Sequence, residues 1–369
     1  MVTVAEIVQD LEQACPRGLA ASWDNVGLLL GDGTALVQRV MTCLTVTPES
    51  ASEAVDAGVQ LILSHHPVMF RPVQRLTTAT PEGRTLLTLM RHGIAVASLH
   101  TAFDNCRDGI NDILARRLEL TEVAPLRPVG GPQQYKIVVF VPDSDLNRVA
   151  DALFTAGAGH IGQYSECSFR LAGTGTFFGS DATNPTVGQK GRREEVAEWR
   201  LEAICPEASL EAAVAAMRRA HSYEEPAYDV YPLRAVDPRR GEGRVGRLPA
   251  APRLDELALR LRQLLRADAV ATVGDPGRRV ERLALACGAG GAFLTDAQHA
   301  GADAFLTGEL RFHDCLAAEA AGLALLLPGH YATERCGVEE LAERLQRRWP
   351  DLEIWASRRE RDPLRWQTA

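Results

Sequence analysis

Apolar residues in the first third of the chain follow helical and strand periodicities in turn. The pattern predicts helices over 4–15, 48–57 and 81–92, and strands over 40–46, 59–63 and 94–99. Strands that alternate with helices along a chain form βαβ units, in which neighbouring strands run parallel. We therefore expect residues 1–128 to form the first half of a mainly parallel, layered α/β domain.

The pattern changes over residues 129–236. It predicts strands over 135–141, 168–178, 194–204 and 228–231, and helices over 146–156 and 209–220. The order β-α-β-β-α-β is typical of a ferredoxin-like α+β domain. We expect this segment to be an inserted domain.

Residues 237–369 return to α/β patterning. The expected helices cover 253–265, 295–300, 312–321 and 333–348, and the expected strands cover 283–287, 304–307 and 323–327. This segment is interpreted as the second half of the α/β domain that begins at the N-terminus.

Composition narrows the class of protein. The chain has 369 residues and a formal net charge of −8, which argues against nucleic acid as a partner. No apolar run reaches membrane-spanning length, so no membrane partner is expected. The N-terminus has no signal-peptide pattern, and the eight cysteines include no C-x-x-C. Together these features predict a cytoplasmic protein with reduced thiols.

Two adjacent histidines, His65 and His66, follow the predicted strand over 59–63. Neutral imidazole is the commonest protein ligand for a transition metal. Pro67 ends the strand and restricts the loop that carries the pair. Taken alone, the pair fits a metal site and an exposed loop equally well.

Polar clusters follow three other predicted strands, where open α/β sheets place their ligands. They contain His100 and Asp104, then Glu309 and His313, then His330 and Glu334. His330 and Glu334 share one face if a helix begins after Gly329.

Each of these clusters has a structural alternative. Asp104 could cap the helix expected near Gly109, and Glu334 could complement a helix dipole. His330 could be an ordinary loop histidine, and Glu309 with His313 a solvated helix face. Four such clusters at four strand ends favour a joint metal site. Imidazoles with bridging carboxylates fit two divalent ions, with zinc expected and manganese, iron, cobalt or nickel compatible.

A glycine-rich run over 288–291 also follows a predicted strand. It lacks the Lys-Ser/Thr of a phosphate-binding loop, so a tight strand-to-helix turn is the preferred interpretation.

Six stretches together match the pattern of one known family: 23–28, 64–67, 100–104, 109–112, 307–314 and 329–334. With them the chain resembles the Nif-three-like dinuclear-metal proteins, often named GTP cyclohydrolase 1 type 2 homologues. Stretches 157–162, 173–178 and 221–229 resemble the PII/CutA-like insert of the longer members. Glu309 and Ser222 depart from the family pattern, which usually has Asp and Pro at these positions.

The resemblance implies that two adjacent divalent ions are held by His65, His66, Asp104, His330 and Glu334. It further implies a homo-oligomer, a toroidal hexamer with the metal sites facing an internal cavity. His313 and His100 are then the candidates for acid–base catalysis.

Three hypotheses about function follow. The first is a metal-dependent hydrolase for a small molecule such as a nucleotide, with ring opening of GTP as the specific version. The second is a non-catalytic metal-binding or regulatory oligomer, a metal chaperone or sensor. The third, DNA or protein binding by a ring-shaped assembly, gains little support from the acidic charge balance.

Overall fold

The computed structural model describes residues 2–130, 133–233 and 236–367. These residues divide into two compact units, one of residues 1–129 with 237–369 and the other of residues 130–236. We call the first the discontinuous unit and the second the middle unit.

The helices alternate with the strands through most of the chain. They are α1 Val4–Ala14, α2 Pro48–Asp56, α3 Pro81–Arg91, α4 His100–Asn105, α5 Ile110–Arg117, α6 Leu146–Thr155, α7 Glu207–Ala220, α8 Leu254–Leu264, α9 Leu294–His299, α10 Phe312–Ala320 and α11 His330–Arg348.

The strands are mostly short in the discontinuous unit and long in the middle unit. They are β1 Val2–Thr3, β2 Gly27–Leu30, β3 Leu36–Val37, β4 Arg39–Cys43, β5 Leu61–Ser64, β6 Ala95–Ser98, β7 Thr121–Gly130, β8 Gln134–Pro142, β9 Ser168–Phe178, β10 Arg193–Pro206, β11 Tyr228–Leu233, β12 Val236–Arg247, β13 Ala271–Val273, β14 Arg282–Ala286, β15 Ala304–Thr307, β16 Ala324–Leu327 and β17 Glu353–Ala356.

The discontinuous unit contains two larger sheets and the small antiparallel pair β1–β3. One sheet has the order β17-β4-β5-β6-β2, in which the first four strands run parallel and β2 is antiparallel to β6. The other has the order β13-β16-β15-β14-β12-β7, with β14, β15 and β16 parallel. β13 and β12 pair antiparallel with β16 and β14. The α/β class is confirmed, with parallel centres and antiparallel strands toward the edges.

The central strands of both sheets are buried on both faces, as β5, β6, β14 and β15 show. This explains why they appear in the sequence as continuous apolar runs rather than as an alternation. One apolar core contains side chains from both sheets, together with α1, α5, α8 and α11. It fixes the strand ends that carry the polar clusters.

The middle unit is an antiparallel sheet in the order β11-β8-β10-β9, crossed by α6 and α7. Its β-α-β-β-α-β sequence and strand order are those of a ferredoxin-like fold. The helices pack on one sheet face over Ile137, Val139 and Leu201. The opposite face leaves Phe169 and Leu171 exposed.

Among the described residues, no helix is long and apolar enough to cross a membrane.

Candidate metal centre

Two neighbouring parallel strands bring the first half of the site together. β5 ends at Ser64 and β6 at Ser98, and these two residues are register partners. His65 therefore lies beside His100, whose backbone N–H donates to the His65 carbonyl over 3.1 Å. The Ser98 hydroxyl donates to the same carbonyl over 2.7 Å. The sheet thus fixes the loop backbone at this edge.

The second half of the site begins where α11 begins. The helix begins at His330, directly after Gly329. His330 and Glu334 therefore lie one turn apart on one helix face, as the four-residue spacing predicts. Gly308 is required here because a Cβ on it would lie 2.7 Å from the His330 Cα.

The carboxylate of Glu334 is the point at which the two halves meet. Its Oε2 lies 3.1 Å from His66 Nε2 and 3.0 Å from His330 Nε2. Its Oε1 lies 3.8 Å from His65 Nε2, and Asp104 Oδ1 lies 3.6 Å from that same nitrogen. The structure thus brings together all five residues that the sequence predicts as ligands.

His65 and Glu334 are buried and the other three residues are partly buried, yet several polar atoms of the cluster have no hydrogen-bond partner. His65 is 2% exposed and Glu334 4% exposed. Within the described part of the chain, neither ring nitrogen of His65 forms a hydrogen bond, and Nε2 of His330 and Oε2 of Glu334 have no hydrogen-bond partner beyond the ion-pair contacts around Glu334. Leaving a buried polar group unpaired costs about 1–3 kcal/mol. The Nε2 atoms of three histidines meet at the Glu334 carboxylate, an arrangement that fits a bound cation, and this donor set suits divalent first-row ions.

A glycine in the 288–291 run makes room for the cluster. Gly288 has a φ of +62°, and a Cβ there would lie 2.2 Å from Glu334 Oε1. This glycine therefore allows a close approach to the carboxylate, in addition to turning the chain after β14.

The charges of the cluster favour positive charge in its centre. Burial opposes protonation of His65, but the carboxylates of Asp104 and Glu334 outweigh it and raise the pKa of that imidazole. Close contact with Glu334 raises the pKa of His330 to about 9. Burial alone would raise the pKa of Glu334, but His65 and His330 lower it well below its usual range. A divalent cation would satisfy the same field.

At the two remaining ligands, His66 and Asp104, burial outweighs the neighbouring charges and decides the direction of the pKa shift. It is the main reason that the pKa of His66 is lowered, which favours the neutral imidazole that binds metals. It is also the main reason that the pKa of Asp104 is raised.

A shell of hydrogen bonds orients the ligands. Nδ1 of His66 lies 2.7 Å from the Thr45 hydroxyl, and Nδ1 of His330 lies 3.1 Å from Glu309 Oε1. Such contacts fix which ring nitrogen faces an ion. Glu309, one of the two residues that depart from the family pattern, is therefore a direct neighbour of a proposed ligand.

Asp104 is held at both its backbone and its side chain. The Asn111 amide donates to its carbonyl over 3.0 Å, and the Cys287 thiol donates to its Oδ1 over 3.2 Å. The Asn111 amide oxygen in turn accepts from the Cys287 backbone N–H over 2.9 Å. Asp104 does not cap α5, whose N-cap is Gly109 without a side-chain hydrogen bond. The helix-cap alternative is therefore wrong.

His100 lies beside the five ligands and is held by a buried carboxylate. Its Nδ1 is 2.7 Å from Asp24 Oδ1, and the backbone N–H and hydroxyl of Thr101 both donate to Asp24 Oδ2. Burial opposes ionisation of Asp24, but His100 and Thr101 lower its pKa to about 2. The His100 ring centroid lies 5.3 Å from that of His65. A histidine held in this way can exchange protons at the edge of the site.

His313 lies apart from this cluster in the contacts of the described residues. It is exposed near the start of α10, and its ring contacts Phe312 at 5.6 Å between centroids. The structure brings His100 to the candidate centre and does not bring His313 there.

Four contributors escaped the sequence reasoning: Asp24, Thr45, Gly288 and Cys287. Cys287 directly follows β14, so the strand-end criterion that found the histidines could also have found this thiol. Thr45 lies two residues after β4 and is equally close to a strand end. Asp24 lies in a loop before an edge strand, where no periodicity predicts a contact with His100.

A cavity of about 640 Å³ opens beside the cluster. His66, His330 and Glu309 line it together with the segment over 359–365. A small molecule could therefore reach the candidate ligands.

Comparison with known proteins gives the same family as the sequence motifs, over nearly the whole chain. The model of the family Duf34/NIF3 (NGG1p interacting factor 3) matches residues 2–363. A Halalkalibacterium halodurans protein named GTP cyclohydrolase 1 type 2 homolog is 37% identical over 361 residues, which cover 97% of both chains. A Bacillus subtilis protein of the same name is 38% identical over 327 residues, covering 89% of this chain and 88% of that relative.

Solved structures agree with the fold. A Bacillus cereus protein described as related to NIF3 has a TM-score of 0.78 and 33% identity, with 99% of each chain covered. A Staphylococcus aureus protein has a TM-score of 0.86 and 26% identity over the same share. The chain therefore belongs to the DUF34/NIF3 family.

Proposed function

We propose that this protein is a metal-dependent hydrolase that acts on a nucleotide or a related small molecule. The observation that carries the proposal is the convergence of His65, His66 and His330 Nε2 on the buried carboxylate of Glu334 beside an open cavity.

The proposed ligands are His65, His66, Asp104, His330 and Glu334, which would hold two divalent ions. Glu334 has one oxygen toward His66 and His330 and the other toward His65, so its carboxylate suits a bridging role. Bound divalent ions act as Lewis acids and lower the pKa of coordinated water.

The chain's own side chains would contribute positioning and proton transfer. Asp24 stays ionised and fixes His100 through Nδ1, so His100 Nε2 is the atom that would exchange a proton with the substrate or water. Thr45 and Glu309 would keep the ligand imidazoles in place.

The names of the relatives support a nucleotide as substrate. These relatives are named GTP cyclohydrolase 1 type 2 homologs. We propose hydrolytic opening of the GTP imidazole ring, with loss of formate, as the specific reaction. Phosphoester hydrolysis is the version that the same ligand set would also serve.

The proposal includes a homo-oligomer, a toroidal hexamer, whose middle unit is a PII/CutA-like module. Light scattering coupled to size exclusion tests the assembly, since a hexamer has six times the mass of the 40.1 kDa chain.

A second role, as a metal-responsive regulator, is favoured by one feature of the middle unit. A cavity of about 600 Å³ lies beside its sheet, lined in part by Phe140, Leu171 and Tyr223. Ligand binding there without any hydrolysis would favour this role.

The decisive experiment is a nucleotide screen with the metal-loaded protein. Mass spectrometry of the products should show formate or phosphate release that disappears on chelation and returns with added metal. His65→Ala should abolish turnover, whereas His299→Ala, which changes an exposed histidine of α9, should leave it unchanged. Release of neither product from any nucleotide would contradict the hydrolase proposal.

A further inference from the structure

We infer that Trp23 and Phe70 form a subsite that binds a flat aromatic ring of the substrate beside the metal cluster. This inference rests on the proposed function and goes beyond it, because it specifies which part of the substrate lies where. The predicted occupant is a planar heteroaromatic ring, such as a nucleotide base, with an anionic group on the far side of the cluster.

The first observation is that two large aromatic side chains are exposed together. Trp23 is 60% exposed and Phe70 is 48% exposed. Their ring centroids lie 5.7 Å apart, although the residues come from different loops. Contiguous exposed apolar surface of this kind commonly marks a binding site.

The second observation is that the structure fixes this pair in place. The Asn25 amide donates to the Met69 carbonyl over 2.6 Å, which ties the loop of Trp23 to the loop of Phe70. The Ala21 backbone N–H donates to the Thr101 hydroxyl over 2.9 Å, which ties the first loop to α4. A stacking surface that is ordered before binding loses little entropy when the ligand arrives.

The third observation is the position of the pair relative to the proposed chemistry. The His100 ring lies 5.9 Å from that of Trp23 and 6.2 Å from that of Phe70. His100 in turn lies 5.5 Å from His66, and His66 lies 5.5 Å from His330. A ring stacked on Trp23 or Phe70 would therefore lie next to the proposed proton-transfer group.

The fourth observation concerns the opposite side of the cluster. The cavity beside His66 and His330 is lined by three arginines and by the carboxylates of Glu309, Glu360 and Asp362. Arg359 pairs with Asp56 over 2.7 Å, so Arg361 and Arg365 are the lining side chains that suit phosphate through charge and paired N–H donors. A ligand with an aromatic ring at one end and a phosphate at the other would match both sides of the centre.

Isothermal titration of the zinc-loaded full chain with guanosine monophosphate and with ribose 5-phosphate tests this placement. The second compound has the sugar phosphate without the base. Trp23→Ala should raise the Kd for the nucleotide about 5- to 150-fold, the range expected for loss of one base–aromatic stack. It should leave the Kd for ribose 5-phosphate unchanged, and Trp23→Phe should restore most of the affinity for the nucleotide.

Leu259→Ala is the matched control, because Leu259 is 62% exposed on α8 and should not affect either ligand. Equal affinity of wild type and Trp23→Ala for the nucleotide would overturn the inference, as would a wild type that binds no nucleotide. A Trp23→Ala variant that binds normally but changes oligomeric state would also overturn it and assign the pair to an interface between copies.

The outcome is separable from the proposed function. Trp23-dependent nucleotide binding without turnover would leave the subsite standing and remove the hydrolase. Turnover with nucleotide binding that does not depend on Trp23 would support the hydrolase and remove the subsite.

Discussion

Each of the two units contains a buried histidine, and these two histidines differ in the hydrogen bonds of their ring nitrogens. His221 of the middle unit is 7% exposed and fully paired, with Nε2 donating to the Phe140 carbonyl over 3.0 Å and Nδ1 accepting from the Tyr223 N–H over 3.0 Å. His65 of the discontinuous unit is more deeply buried, and both its ring nitrogens lack a hydrogen bond in the part of the chain that the structure describes. Burial is common to both. The missing partners distinguish a proposed ligand from a structural histidine.

The buried Asp145 and the partly buried Asp104 repeat the comparison. Asp145 of the middle unit accepts from the Ser222 N–H over 2.8 Å and from Arg148 over 2.7 Å. Burial acts to raise its pKa, but these donors lower it below the usual value. Burial dominates at Asp104, and its pKa is raised. Asp145 is satisfied by donors of its own unit, whereas both ring nitrogens of His65 in the candidate centre form no hydrogen bond in the described part of the chain.

The largest expected effect is that of metal on stability. Ions that bind only the folded chain should stabilise it by about 4 kcal/mol per site at a free concentration near 1,000 times Kd. Chelation should therefore lower the midpoint of thermal unfolding of the discontinuous unit, which calorimetry measures. Hydrogen exchange over 130–236 should stay unchanged. If chelation changed the hydrogen-exchange protection of the two units equally, or changed neither, the proposed difference between the units would be contradicted.

Replacing His221, the fully paired histidine of the middle unit, should destabilise that unit and leave metal binding unchanged. His221→Ala leaves the Phe140 carbonyl and the Tyr223 N–H without their partner, so it should destabilise the middle unit by about 1–3 kcal/mol. Urea unfolding followed by hydrogen exchange measures this loss. The metal content of the variant should equal that of wild type, and a reduced content would show that His221 is not purely structural.

Removing a supporting hydrogen bond should have a moderate effect. Thr45→Val deletes the hydroxyl that lies 2.7 Å from His66 Nδ1 and should weaken metal binding about 10- to 100-fold without unfolding the chain. A competition titration with a chromogenic chelator gives the affinity. Thr295→Val, at an exposed position of α9, is the control and should bind as wild type does. Identical affinities for both variants would mean that the Thr45 contact does not orient a ligand.

The smallest expected effect is that of acid pH on the stability of the middle unit. The folded-state pKa of Asp145 is below the unfolded value of about 3.9, so its stabilising contribution is complete above that value. The contribution should be lost as pH falls from about 4 through the lower folded-state pKa. Asp145→Asn should flatten this part of the stability profile, which urea unfolding at several pH values measures. An unchanged profile would show that the Ser222 contact contributes nothing to stability.

The sequence could predict the five clustered residues because the fold follows a simple rule. The carboxyl ends of parallel strands lie at one edge of a sheet, so polar residues directly after β5 and β16 were expected to share a site. The pattern predicted the last helix only over 333–348, but the structure begins it at His330. The condition that a helix begins after Gly329 is therefore met, and the four-residue spacing places Glu334 on the same face. These features depend on local signals that single residues carry.

Other parts of the site have no such signal. α4 is a six-residue helix without a capping side chain, and it begins at His100 with a φ of +30°. Neither propensity nor periodicity predicts such an element, so Asp104 was expected in a loop. The Asp24–His100 pair joins residues 76 positions apart. Only the packing of β2 at the sheet edge determines that contact.

The most direct test of the metal centre is the metal content of purified protein, measured by inductively coupled plasma mass spectrometry. Wild type loaded with zinc and then desalted should retain about two ions per chain. Glu334→Gln, which keeps the shape of the side chain but removes the bridging charge, should retain fewer than one while its circular dichroism stays unchanged. Equal metal content in the two proteins, or none in wild type, would contradict the assignment of these residues as a two-metal centre.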